Sequence, residues 1–241
     1  MKRTNIIAIL LSASLVFSGC GTTGSMSNTA KGGLIGAGSG TALGALLGVI
    51  GHGKGAAIGA AVGAAVGTGA GVLIGKKMDK AAEQAAKVEG AKVEQVTDNN
   101  GLQAVKVTFD SGILFNTGSS TLSNSAQASL SKFTNNVLKQ NPTMDVAVYG
   151  YTDNVGWKNS TAEQSAQKNK DLSQSRAQSV ASYMLSCGAA SSQIKSVEGY
   201  GEANPISDNS TAAGREQNRR VEVYMYASQQ MIQQAEAGTL Q

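Results

Sequence analysis

Few residues of this chain are equipped for covalent chemistry. Its one histidine, His52, stands in the polar break Gly51-His52-Gly53-Lys54, and its two cysteines are Cys20 and Cys187. A nucleophile needs an activating base within hydrogen-bond reach, and a hydrolytic metal needs a cluster of His, Cys or carboxylate ligands. From Val105 onward there is no histidine, so Cys187 has no such base. Glycan hydrolysis needs two carboxylates flanking the scissile bond. Asp153 and Glu163 are the local pair on offer, and Glu163 falls in a polar stretch expected to be flexible. The expectation is a module that binds without catalysing. By position alone, Asp153 falls just past a predicted strand end and Arg176 one position before an apolar helical stripe. Such a carboxylate and a guanidinium in the first turns of a helix can face one another across a cleft. Charge-assisted bonds there are worth about 1.5 to 3 kcal/mol each. The bland alternative is a surface ion pair worth little.

The elements that must hold this pair are legible from periodicity. Val105, Val107 and Phe109 alternate with Lys106 and Thr108, which predicts a half-buried strand. Ala91 to Val96 is a candidate partner across the turn Asp98-Asn99-Asn100-Gly101. Leu122, Ala126, Leu130, Phe133 and Val137 recur as a helical stripe. Asn141-Pro142 ends that helix, because the residue before proline avoids the α region. Met144, Val146 and Val148 predict the next strand, stopping at Gly150, and Ala177, Val180, Ala181, Met184 and Leu185 predict a second helix with Arg176 on its shoulder. A strand near Ile194 to Gly199, a short helix near Gly214 to Arg219 and a strand through Val221, Val223 and Met225 complete the series. The expected fold is an α/β (α+β) sandwich, a mixed sheet with helices packed on it. About 130 residues suffice for one core. Cys187 is expected to be a small buried hydrophobe near a helix end.

Five stretches resemble a known family in their order. They are Tyr151-Thr152-Asp153-Asn154-Val155-Gly156; Asn169 with Leu172-Ser173-Gln174-Ser175-Arg176-Ala177; Gly199-Tyr200-Gly201-Glu202-Ala203-Asn204-Pro205; Asp208-Asn209; and Gly214-Arg215-Glu216-Gln217-Asn218-Arg219-Arg220-Val221-Glu222-Val223. Together they are similar to the signatures of the OmpA-like peptidoglycan-binding domain, over roughly Val105 to Tyr226. The resemblance implies recognition of the diaminopimelate residue of the peptidoglycan stem, a group bearing an ammonium and carboxylates. It implies that Asp153 pairs with the ammonium and Arg176 with the carboxylate, that Thr152 and Asn169 orient the ligand or the loop, and that Asn218 and Arg219 close the far side. No cofactor and no metal enter this reading. Val155 to Lys168 is longer than the family pattern and is expected to form an enlarged polar lip, with Trp157 either a sugar-stacking platform or a packed loop residue.

The amino-terminal part has a different chemistry. Lys2 and Arg3, an apolar run from Ile6 to Phe17, then Ser18-Gly19-Cys20 have the layout of a secretory signal. The segment resembles a bacterial lipoprotein signal over residues 1–19, which implies acylation of Cys20 and delivery to an outer membrane with the globular part in the periplasm. Residues 20–31 read as a flexible tether. Across residues 32–75 glycine recurs mostly every fourth position, which resembles the glycine-zipper regions of envelope lipoproteins. Glycine costs about 1 kcal/mol per residue in an aqueous helix, whereas in lipid small-xxx-small faces let helices pack closely. The reading is a helical hairpin, with residues 33–50 rising about 27 Å, able to meet a membrane and to form homo-oligomers. Residues 76–92 read as a solvated connector, 93–228 as the wall-binding domain and 229–241 as a polar tail. A second function class makes the hairpin an oligomeric pore, with wall binding as mere anchorage. Setting Lys2 and Arg3 aside leaves 18 basic against 16 acidic residues and, with 5% aromatics, no basis for a nucleic-acid partner.

Overall fold

The computed structural model describes residues 68–97 and 103–240. The expected signal, Cys20, the tether, His52, most of the glycine hairpin and the turn at 98–101 lie outside the described residues.

Helix α1 (Thr68–Ala85) buries Met78, Ala81, Ala82 and Ala85, three and four residues apart on one face. Residues 76–92 are therefore no solvated connector. Lys76 and Lys80 are exposed, but Met78 between them and Ala81, Ala82 and Ala85 beyond enter the core. Strand β1 (Ala91–Thr97) pairs antiparallel with β2 (Gln103–Asp110), as the sequence predicts. The four-residue helix α2 (Ser111–Leu114) follows, and Phe115 then bridges to Leu122. Helix α3 (Asn124–Phe133) is capped by the Ser123 hydroxyl and runs into a π turn, Thr134–Leu138. The chain leaves it at Asn141, whose side chain donates to the Val137 carbonyl at 2.8 Å.

Strand β3 (Met144–Tyr151), helix α4 (Ala162–Ser186) and strand β4 (Ile194–Gly199) form a parallel crossover unit. Here the structure departs from the expected lip of residues 155–168. The loop ends at Thr161, and residues 162–168 are the first turns of α4. A capping box explains the early start, with the Thr161 side chain on the Gln164 amide and the Gln164 side chain on the Thr161 amide. Arg176 consequently lies well along this helix and not in its first turns. Cys187, the C-cap of α4, is only half-buried. After α5 (Ala212–Asn218) and β5 (Arg220–Ala227), the chain ends in α6 (Gln229–Glu236). The supposed polar tail is thus an amphipathic helix whose Met231, Ile232 and Ala235 are buried.

The sheet order is β1-β2-β5-β3-β4, antiparallel except for the β3–β4 pair. Val105, Val107, Phe109, Val146, Val148, Val221, Val223 and Met225 line one face, and the buried residues of α1, α3, α4 and α6 pack on them in one core. Gly150 and Gly199 bring α4 close: a Cβ on Gly150 would strike the Ser173 carbonyl, and one on Gly199 the Gln174 amide. The other face is not simply solvated. Tyr149, Tyr151, Tyr200, Tyr224 and Tyr226 bury it, with Ala104 and Ala147, as a second cluster. Within that layer Glu222 accepts from Arg220 at 2.7 Å and from the Tyr224 hydroxyl at 2.8 Å, while the Arg220 guanidinium lies 3.8 Å from the Tyr151 ring centroid. Strands β2, β3 and β5 are thus covered on both faces, a correction to the half-buried reading of β2. Among the described residues no helix is long and apolar enough to cross a membrane.

Candidate functional site

At the carboxyl end of β3 the chain turns out of the sheet, and the Thr152 amide donates to the Gly201 carbonyl at 2.8 Å, tying it to the segment that leaves β4. Asp153, 8% exposed, follows. Its Oδ1 accepts from the Val155 amide at 3.1 Å, and its Oδ2 accepts from Arg219 Nη1 at 2.6 Å. The carboxylate is thereby fixed from two sides, by its own loop and by the junction of α5 with β5. The partner of Asp153 is Arg219, where the sequence suggested Arg176 facing it; both guanidiniums reach the same cavity from different elements.

That cavity measures about 480 Å³, within the range of small-ligand sites. Thr152, Asp153, Asn169, Arg176 and Arg219 all line it, together with Trp157, Lys158 and Phe115. Arg176 is 3% exposed. Its Nε donates to the Ser119 carbonyl at 3.0 Å, and its guanidinium carbon lies 5.2 Å from the centroid of Phe115. Among the described residues no acceptor engages its two Nη groups. Burial, and secondarily the Arg219 charge, push this guanidinium below its ordinary pKa, with Asp153 pulling the other way. It remains cationic regardless. A buried cation disfavoured in this way gains from any anion that reaches its two free donors.

Asn169, 3% exposed, organises the loop. Its amide nitrogen faces the Asp153 carbonyl at 3.4 Å, the Val155 carbonyl at 3.3 Å and Glu202 at 3.3 Å, and its Oδ1 accepts from Trp157 Nε1 at 2.7 Å. The Trp157 amide in turn donates to the Ser165 hydroxyl at 2.9 Å. The tryptophan is therefore half-buried and held at both ends, one wall of the cavity, anchored by the early turns of α4.

Asn218 has a different place. Fully buried, it bonds the Ile206 and Ser207 amides, the Ser207 carbonyl and the Asn209 side chain, all within 3.0 Å, and it does not line the cavity. Its type fits because a primary amide can pin two amides and two acceptors at once. Glu163 is exposed in the first turn of α4, away from the cavity lining, so the Asp153–Glu163 carboxylate pair is not assembled there. Its own backbone amide and the Thr161 side chain hold its carboxyl below the ordinary value. Sequence reasoning missed Ser111, Phe115 and Leu172 as lining residues. Position explains this: Ser111 opens the short α2 and Phe115 caps it, and Leu172 sits on α4 before the apolar stripe begins.

Comparisons with known proteins agree with this architecture. Residues 114–219 match the model of the OmpA family, and residues 1–79 match that of the YMGG-like Gly-zipper. The probable lipoprotein YiaD of Escherichia coli (strain K12) is 38% identical over 232 residues, covering 92% of this chain and 97% of its own. The peptidoglycan-binding protein ArfA of Mycobacterium bovis is 43% identical over 86 residues, which span 36% of this chain and 24% of that one. The cell wall anchor of the type VI secretion system of Pseudomonas aeruginosa superposes with a TM-score of 0.50 at 26% identity, over 63% of this chain and 97% of its own.

Proposed function

We propose, on the premise that this chain belongs to the OmpA family, that its globular domain binds peptidoglycan non-covalently through the diaminopimelate residue of the stem peptide. The observation that carries the reading is Arg176, buried with two uncommitted Nη donors in a cavity that also holds Asp153 and Arg219. A planar guanidinium is suited to two-point contact with a carboxylate. Asp153, held by Arg219 and the Val155 amide, offers its charge to the ligand ammonium from the cavity side. Two guanidiniums and one carboxylate present both signs of charge to a group that bears an ammonium and a carboxylate. Arg219 then has two duties, steadying Asp153 and adding positive charge. Thr152 presents a buried hydroxyl, and Asn169 acts through the loop and Trp157. Asn218 supports the site from behind.

On this reading the domain is a binder: among the residues lining the cavity Asp153 is the one carboxylate, whereas glycan hydrolysis uses two that flank the bond. Acylation of Cys20 makes the chain a tether between wall and outer membrane, with the domain in the periplasm. Each buried lipid methylene contributes about 0.8 kcal/mol, and confinement beside a polymer makes modest sites sufficient. The glycine repeat ahead of Thr68 serves as the membrane-associated and self-associating segment, since residues 68–75 belong to α1. The ArfA and wall-anchor likenesses support wall binding, and the YiaD likeness supports the lipoprotein reading.

The test is co-sedimentation of the full chain with purified sacculi, with and without free diaminopimelate. Wild type should pellet and be released by the competitor, and Asp153→Ala should stay in the supernatant. Pelleting of that variant at the wild-type level would remove the assignment. The anchor is tested separately by palmitate labelling, expected for wild type and absent for Cys20→Ala.

A further inference from the structure

Two residues that line the cavity carry buried polar atoms that the fold leaves unused. The hydroxyls of Ser111, 2% exposed, and Thr152, 4% exposed, have no hydrogen-bond partner, and both residues line the cavity. Both residues are positioned by their backbones. The Ser111 amide donates to the Arg219 carbonyl at 2.9 Å, and the Thr152 amide to the Gly201 carbonyl at 2.8 Å. The two hydroxyls therefore add nothing to the hydrogen bonding of the fold. An unpaired buried hydroxyl costs free energy, and nearly all such groups in native proteins find a partner. Two of them lining one cavity mark places where a ligand atom completes the bonding.

Thr152 already belongs to the proposed contacts, but Ser111 comes from a separate stretch of chain, as the first residue of α2, and its amide ties it to the backbone of Arg219. We infer that Ser111 is a ligand-contacting residue of this cavity, its hydroxyl acting with that of Thr152 to hydrogen-bond a polar group of the bound stem peptide. The inference rests on the reading above that the cavity takes a wall peptide. A hydroxyl both donates and accepts, so it can serve an ammonium proton or a carboxylate lone pair that the charged residues leave over. Asp153, Arg176 and Arg219 supply attraction; the two hydroxyls make it depend on where the ligand's polar atoms fall.

The experiment measures two quantities on the full chain: affinity for purified sacculi, and melting temperature without ligand. Ser111→Ala should bind about fivefold more weakly, the value of one neutral hydrogen bond. It should melt at or above the wild-type temperature, since it removes an unpaired buried group. Ser111→Cys, close in shape and a poor hydrogen-bond former, should behave alike, and Thr152→Val should do so for the second hydroxyl. Unchanged affinity in Ser111→Ala, or weaker binding that merely accompanies a lowered melting temperature, overturns the inference. Asp153→Ala is run beside them. If it binds normally, the wall-peptide reading fails and takes the serine with it. If Ser111→Ala alone binds normally, that reading stands and only the serine's part is lost.

Discussion

Replacing Arg176 by lysine keeps the charge and removes the shape, which makes it the sharpest probe of the site. In the structure Nε is spent on the Ser119 carbonyl at 3.0 Å, so a ligand carboxylate meets the two Nη groups. A lysine ammonium reproduces one of those contacts at most. Losing one charge-assisted bond of about 1.5 to 3 kcal/mol weakens binding about 10- to 150-fold. The fold loses less: the Ser119 carbonyl forfeits its donor, worth about 1 kcal/mol, which lowers the melting temperature by about 2–4 °C in a domain of this size. Calorimetric titration with a soluble stem peptide, paired with sacculus pelleting and thermal melting, separates the two effects. Arg176→Lys binding within twofold of wild type would refute the two-point geometry. A melting temperature depressed by tens of degrees would refute it differently, by making Arg176 a structural strut.

Asn218→Ala should behave in the opposite way, because four bonds to the 206–209 loop vanish from a fully buried site. We expect a loss of about 3 kcal/mol in chemical denaturation, with sacculus affinity of the folded protein changed less than by Arg176→Lys. Deleting residues 229–241 should cost about 3–6 kcal/mol, since Met231 and Ile232 leave the core; a dispensable tail would cost nothing. Burial raises the Asp145 carboxyl above its ordinary value, with Lys195 opposing. A raised folded-state pKa stabilises the fold in acid and is lost as pH rises through that value. The advantage of wild type over Asp145→Asn should therefore shrink from acid toward neutral pH, and denaturation midpoints that diverge in the other direction would contradict it.

Where apolar residues recur with one clear period, the sequence reported the structure. The β2 strand, the Ala126–Phe133 stripe of α3 and the Ala177–Met184 face all appear in place, although Leu185 at the end of that face is exposed. The elements that escaped are those whose buried face is chemically muted. Helix α1 buries alanines, and α6 buries Met231, Ile232 and Ala235 amid glutamines. The start of α4 has no apolar stripe at all and rests on the Thr161–Gln164 box, a signature that was present and passed over. The tyrosine layer was missed because tyrosines at alternate positions of β3 and β5 read as the wet side of a strand. In the site, Asp153 and Arg176 were placed at one cavity by motif order, but the 2.6 Å bond from Arg219 joins residues 66 apart in sequence, a distance that no local spacing encodes. Asn218 misled because its side chain serves the neighbouring loop while Arg219, one residue on, faces the cavity.

Helix α1 packs on β1, β2, the π turn and α6, so the chain that arrives at Thr68 joins the interior at once. Within the described residues, traction applied at Thr68 meets no unpacked segment ahead of the core. It must drag Met78 and the alanines behind it out of their seat, and the terminal helix, lodged beside them, resists the same movement. The helix by which the chain enters this domain is thus part of what keeps it shut.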